Sequence, residues 1–386
     1  MLEKLKRFNW IMFIAMGTLV ATGTVAIWSA GHARAEAVFH GMWLNNLWTA
    51  AFGLALYLAL SFLDYRKLLD FASLPAYVAA LVMLVAVLAF GSTVYGGRRW
   101  LWFFQPSEIS KLAVIMFVAQ VFGGAGPAWR AGFRGFLLAA ALLGVPSLLI
   151  LMEPDLGTTL TLVPAVLVMM FVAQVWRKGL CVLLAVGGLS ALAVLGAVYE
   201  AEKPGVGEER RERILRFVPL KEHQVRRVRV FLFPEEDVTG AGYNLRQAKI
   251  SIGTGGFSGK GIGKGETNHL KYLPQAISMN DFIFCVYAEE TGFVGSLALL
   301  ALFAGLLLPG CWVAFVATDG RGRLLALGIS TLVFAHVYVN IAMAFGLVPI
   351  TGLPLPFISS GRTFLMTVMA GLGIIQSVSM HREENQ

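Results

Sequence analysis

The chain has 386 residues, 57% hydrophobic and 14% charged, with a formal net charge of +8. Its apolar content exceeds that of a soluble domain and marks an integral membrane protein. The basic balance does not signal nucleic acid, because many of the Lys and Arg residues sit at the ends of apolar stretches, and no nucleic-acid partner is expected.

A bilayer core takes about 20 apolar residues per helix, and ten stretches meet that length: 8–30, 42–62, 72–91, 107–123, 134–152, 157–175, 179–199, 282–308, 324–346 and 355–378. The expected fold is an all-α polytopic bundle. The first stretch lacks a small-residue cleavage site and reads as a retained anchor rather than a removed signal peptide. An even count puts both termini on one side. One set of short loops carries Lys4, Lys6, Arg7, Arg66, Lys67, Arg130, Arg134, Arg177, Lys178, Arg321, Arg323 and Arg382; the opposite set carries only Arg34, Arg98 and Arg99. By the positive-inside rule the termini are cytoplasmic.

Following the third stretch, YGGRRWLWF places Arg98 and Arg99 at the outer edge. An arginine fork there suits a phosphate, and interfacial anchoring by Trp100 and Trp102 explains the segment equally well. The fourth stretch opens QPSEISKLAV, where Glu108 and Lys111 stand three apart on one helix face. An internal ion pair is the plain reading of the two. In MEPDLGTT, Asp155 is placed to cap the helix that follows.

The connection at residues 200–281 is long for a compact bundle, and such loops are usually functional or disordered. Its first half mixes Arg with Ile214, Leu215, Phe217, Val218, Val225 and Val228 at roughly helical spacing, which suits an amphipathic helix on the outer membrane surface or a solvated basic linker. Its second half contains SIGTGGFSGKGIGKGE. Each Gly-Lys is followed by Gly, so the run is no Walker A loop. It is either a loop that wraps an anion, with Lys260 and Lys264 supplying charge for a diphosphate, or a flexible connector.

The eighth stretch begins AISMNDFIFCVYAEETGFVG. On a helix, Glu289 lies about 80° around from Asp281 and Glu290 about 180°, each about 12–13 Å farther along. A glycosidase with two close carboxylates is therefore not built from this helix. Glu289 and Glu290 are expected to pair with Lys111, Arg362 or polar groups of other helices, since charges at span depth are costly unless paired. Asp281 stands at the junction of outer loop and membrane, as an N-cap or as a carboxylate facing a lipid-borne substrate. Cys181, Cys285 and Cys311 form no CxxC, and the six histidines show no ligand spacing, so neither zinc nor a disulfide framework is suggested. Outer carboxylates such as Asp281 suit Mg²⁺ or Mn²⁺ held partly by substrate phosphates; no organic cofactor is implied.

Taken together, GGRRWLWFFQPSEISKL, EPDLGTTL, FLFPEEDVTGAGYNLRQAKISIGTGGFSGKGIGKG, YLPQAISMNDFIFCVYAEETGFVG and GLVPITGLPLPFISSG resemble the SEDS (shape, elongation, division and sporulation) family, with the loop most similar to its RodA branch. The resemblance implies a single membrane domain over 1–386 that holds the extracytoplasmic loop 200–281. It implies a glycosyltransferase that polymerises lipid II into glycan strands during elongation, on the outer face of the bacterial cytoplasmic membrane. A class B penicillin-binding protein is the implied partner. Asp281 occupies the aspartate of the family's DFIF motif and is the implied catalytic carboxylate. Arg98, Arg99, Glu108, Lys111, Asp155, Lys260 and Ser359 are the implied substrate-binding residues, on lipid II and the polyprenyl-linked glycan. Three departures stand out: Met279-Asn280 in place of His-Thr, Tyr95 in place of Asn, and Ser359-Ser360-Gly361-Arg362-Thr363 in place of Ser-Tyr-Gly-Gly-Ser. Two other classes fit a polytopic bundle with internal charges: a flippase for lipid-linked precursors, and a non-catalytic scaffold for a penicillin-binding protein.

Overall fold

The computed structural model describes residues 5–32, 41–94, 97–102, 104–124, 126, 128–203, 205–218, 220, 222–237, 239–266, 274 and 278–382. Within them the chain runs α1 (Trp10–His32), α2 (Met42–Phe62), α3 (Tyr65–Phe90), a hairpin of β1 (Ser92–Val94) and β2 (Gly97–Trp100), α4 (Pro106–Gly123), α5 (Phe133–Met152), α6 (Leu156–Val172) and α7 (Arg177–Glu202). The outer loop contributes α8 (Glu208–Leu215), α9 (Glu222–Leu232) and α10 (Ala241–Thr254), and the chain closes with α11 (Ile283–Val316), α12 (Gly320–Ala344) and α13 (Arg362–Met380). All ten expected stretches fall on helices. Nine are long and apolar enough to cross a membrane, and α6 is a shorter apolar helix of 17 residues.

The protein is an integral membrane protein whose surface matches hydrocarbon rather than water. Phe71, Phe90, Trp48 and Leu189 are among many large apolar side chains left exposed, an arrangement that lipid tolerates and water does not. At the centre stands α13, with 89% of its apolar window buried, followed by α12 with 72%. α13 packs on α2, while α12 is surrounded by α11, α6 and α4. The window of α7 is only 6% buried, so that helix stands off from the bundle. Ser379 Oγ donates to Arg7 O at 2.8 Å, which brings the segment before α1 and the last turn of α13 side by side.

The amphipathic half of the loop forms two helices, α8 and α9, in place of the single helix expected. Val218 and Val225 pack with Val198 into a small cluster at the end of α7. Buried Glu202 of α7 receives Arg211 at 2.9 Å and Arg229 at 3.2 Å.

α11 is broken at Gly292 (φ 69°, ψ −163°). The expected stretch 282–308 therefore shifts: residues 293–316 alone reach about 36 Å at 1.5 Å per residue, enough to cross the core. A break orphans backbone groups, and the glycine-rich run satisfies them. Phe293 and Val294 donate to Gly256 O and Phe257 O, while Lys260 and Gly261 donate to the stranded carbonyls of Glu289 and Glu290, at 2.9–3.1 Å. Only glycine allows so close an approach. Gly259 has φ +79°, and a Cβ there would lie 2.2 Å from Glu290 O; a Cβ at Gly292 would lie 2.3 Å from Gly259 N.

The expected stretch 355–378 also begins late. Residues 351–361 are irregular, and the helix starts at Arg362. Leu353, Leu355, Phe357, Ile358 and Ser359 are nonetheless buried, as irregular backbone inside a membrane protein must be. Arg362, expected at span depth beside a carboxylate or a water-filled cavity, is exposed at the first position of α13.

Candidate active site

Asp281 stands two residues before α11, and its side chain does not cap that helix: the N-cap residue is Phe282, with no side-chain capping bond. The backbone around it is fixed from several sides. Asn340 Nδ2 of α12 donates to Asp281 O at 3.0 Å and to Leu353 O at 2.6 Å. Ser359 Oγ donates to Asn280 O at 2.6 Å and accepts from Leu355 N at 2.8 Å, and Ser360 N donates to Met279 O at 3.1 Å. The irregular segment 351–361 thus serves as a clamp on residues 279–281. Among the described residues no donor is bound to the Asp281 carboxylate, which remains partly open.

Two guanidiniums lie within electrostatic reach of that carboxylate. Burial pushes Asp281 up to about 6, against the opposing pull of Arg227 and then Arg99. Arg227 comes from α9 and is held by Thr351 O at 3.1 Å. In the sequence it is one of many loop arginines, with Arg226 and Arg229 beside it. Its signal is an Arg on an amphipathic helix whose apolar side packs inward. Arg99 comes from β2, donates to Pro154 O and stands 4.0 Å from Asp155 Oδ1.

Asp155 caps α6 as expected, accepting from Thr158 N at 3.1 Å and Thr158 Oγ1 at 2.9 Å. Gln105 Nε2 adds a bond to its second oxygen at 3.2 Å. Beside it, Glu153 is wholly buried with neither carboxyl oxygen hydrogen-bonded. Burial and then Asp155 push Glu153 up to about 8, against Arg99, so this carboxyl is held neutral at pH 7.

The structure therefore gathers Asp281, Arg99 and Asp155 with Arg227. Arg98 neighbours Arg99 on β2, and its side chain lies outside the described set, as does Tyr95. Ser359 acts on the Asp281 segment through Asn280. Glu108 and Lys111 form the expected internal pair, 2.8 Å apart and both buried, with His336 Nε2 2.8 Å from the same ammonium. Lys111 is thus not the partner of Glu289 or Glu290. Glu289 meets Lys260 at 2.8 Å and Ser251 Oγ at 3.1 Å, and Glu290 accepts from Ser29 Oγ. Lys260 lies with that pair, about 12 Å along the helix from Asp281, and Lys264 is exposed.

Among the described residues no three His, Cys, Asp or Glu side chains converge as metal ligands. With Asp155 engaged by Thr158 and Gln105 and the Glu153 carboxyl neutral, the described residues offer a divalent ion one ionised carboxylate, Asp281, and do not fit a resident metal.

The same architecture recurs in known proteins. The chain is 34% identical over 377 residues to "Peptidoglycan glycosyltransferase MrdB" of Escherichia coli (strain K12), covering 96% of this chain and 93% of that one. It is 31% identical over 385 residues to "Probable peptidoglycan glycosyltransferase FtsW" of Trichlorobacter lovleyi, covering 97% and 94%. Among solved structures, a chain described under "Structural coordination of polymerization and crosslinking by a peptidoglycan synthase complex" superposes with a TM-score of 0.74 at 29% identity, covering 98% of this chain and 99% of that one. Thermus thermophilus rod shape determining protein RodA superposes at 0.68 with 27% identity, covering 98% of each. The model of the FtsW/RodA/SpoVE family, described as "Cell cycle protein", matches residues 9–384, and this chain belongs to that family.

Proposed function

We propose that this protein is a peptidoglycan glycosyltransferase that polymerises lipid II into glycan strands for cell elongation, with Asp281 as general base. The observation that carries the reading is Asp281 itself: a partly open carboxylate to which no described residue donates, a fixed backbone and two guanidiniums in reach. Raised to about 6, it is ionised at neutral pH and still close to the range where a base works best. Asp281 takes the proton of the acceptor sugar's 4-hydroxyl as that oxygen bonds to C1 of the donor sugar. The bond from C1 to the diphosphate oxygen breaks with inversion, and polyprenyl diphosphate leaves.

Arg99 and Arg227 stabilise the charge that develops on the diphosphate, an effect strengthened where water is scarce. Asp155 orients Arg99 rather than touching substrate. A divalent ion reaches this site only with the substrate's phosphates. The site faces the outer side of the bacterial cytoplasmic membrane, supported by the basic residues that concentrate at the opposite helix ends. The likeness to a chain of a peptidoglycan synthase complex supports a class B penicillin-binding protein as partner.

The test is synthesis of glycan strands from purified lipid II by the detergent-solubilised protein, alone and with a class B penicillin-binding protein. Polymer formation is the expected result. Its absence in every condition, with lipid crossing retained in vesicles, would favour the flippase reading.

A further inference from the structure

Asn340 and His336 lie four residues apart on α12, on one face of that helix. Both are buried, Asn340 at 0% and His336 at 1% exposure. Asn340 uses its amide nitrogen twice, on Asp281 O and on Leu353 O. Two facing carbonyls leave no alternative orientation for that amide. Among the described residues its own Oδ1 is buried without a donor, a cost that native interiors seldom accept. One turn away, His336 Nε2 meets Lys111 Nζ. Lysine only donates, so the ring is neutral with its hydrogen on Nδ1. Lys111 is bound in turn to Glu108 at 2.8 Å, and the Phe364 ring lies 4.6 Å from the His336 ring and 5.5 Å from Lys111 Nζ.

We propose that Asn340 and His336 are positioning residues that tie the Asp281 main chain, through one face of α12, to the buried Glu108–Lys111 pair. The inference rests on Asp281 being the base. It gives the two charged residues of α4 a place in the reaction without contact with substrate. Lys111 fixes the rotation of α12 through His336, and Asn340 converts that rotation into the placement of the Asp281 carbonyl and of the clamp at Leu353. A carboxylate displaced by an ångström is a poor base even though its charge and its substrate contacts are intact.

The experiment measures steady-state lipid II polymerisation by full-length protein carrying Asn340→Ala, His336→Phe, His336→Gln or Asp281→Asn, with melting temperatures beside each. Asn340→Ala and His336→Phe are expected to lower kcat by about 10- to 100-fold with KM within about twofold. The acid limb of the pH profile stays in place, because neither side chain touches the carboxylate. His336→Gln, whose amide oxygen replaces the accepting nitrogen, is expected to keep kcat within about threefold. If Asn340→Ala is not obtained folded, Asn340→Ser carries the same expectation. Wild-type kcat in Asn340→Ala and His336→Phe, or a change confined to KM, overturns the positioning role while Asp281→Asn stays inactive. Activity retained in Asp281→Asn overturns the base assignment and the inference with it.

Discussion

Lys260 Nζ sits 2.8 Å from Glu289 Oε1, so the glycine-rich run is pinned to the helix that begins beside Asp281. The Glu289 side chain is 1% exposed and the Lys260 side chain 22%. Lys260→Met therefore removes a cation from a buried carboxylate. The expected loss of stability is below the roughly 3–5 kcal/mol of a fully buried pair, because the lysine end is partly open to solvent. Lys260→Met combined with Glu289→Gln recovers most of it. Denaturation in detergent of both singles and the double measures the coupling, and KM for lipid II is expected to stay unchanged in folded protein.

The break at Gly292 depends on a backbone conformation and a contact that a side chain forbids. Gly292→Ala is expected to cost about 1–3 kcal/mol from its φ of 69° alone, and more because the added Cβ would lie 2.3 Å from Gly259 N. Gly253→Ala, with open space around its Cβ on α10, is the control expected to be neutral or stabilising. Melting temperatures separate the two.

The pH dependence follows from Asp281. A base works only when deprotonated, so kcat/KM rises as pH increases through a limb near 6 and levels off above it. Arg227 holds that value down, hence Arg227→Gln moves the limb upward, by up to about one unit. It also lowers kcat at every pH by weakening diphosphate departure. A pH series of initial rates checks both.

Glu153 is pushed from its ordinary 4.5 to about 8 and is neutral at pH 7. Glu153→Gln is an isostere of that neutral form, so it is expected to fold and polymerise like wild type. The folded state binds this proton more tightly than the unfolded chain does. Its contribution is therefore complete below about 4.5 and is lost as pH rises toward 8. The melting temperature of wild type should fall relative to Glu153→Gln across that window.

Apolar length made the bundle legible, and the ten stretches needed no knowledge of packing. Gly292 was not legible as a break, because a glycine within an apolar run is compatible with a continuous helix until its partner is seen. That partner is the glycine-rich run containing Gly259-Lys260-Gly261, whose spacing invited a phosphate-loop comparison. Glu108 and Lys111 read correctly as a pair from their spacing, but His336 lay 225 residues away on another helix. Asp155 read correctly as a cap. Arg227 was hidden among the loop arginines because direction on a short helix is set by what it packs on. The start of α13 was misplaced because PLPFISS is as apolar as a helix, and only burial distinguishes it.

The central claim is that Asp281 takes the proton, and the direct measurement is glycan polymer formed from lipid II by wild type and Asp281→Asn, each at matched melting temperature and with its partner transpeptidase present. Polymer is expected from wild type, with a loss of at least about 100-fold in the variant, in the range of removing a general base. Equal polymer from both would contradict it.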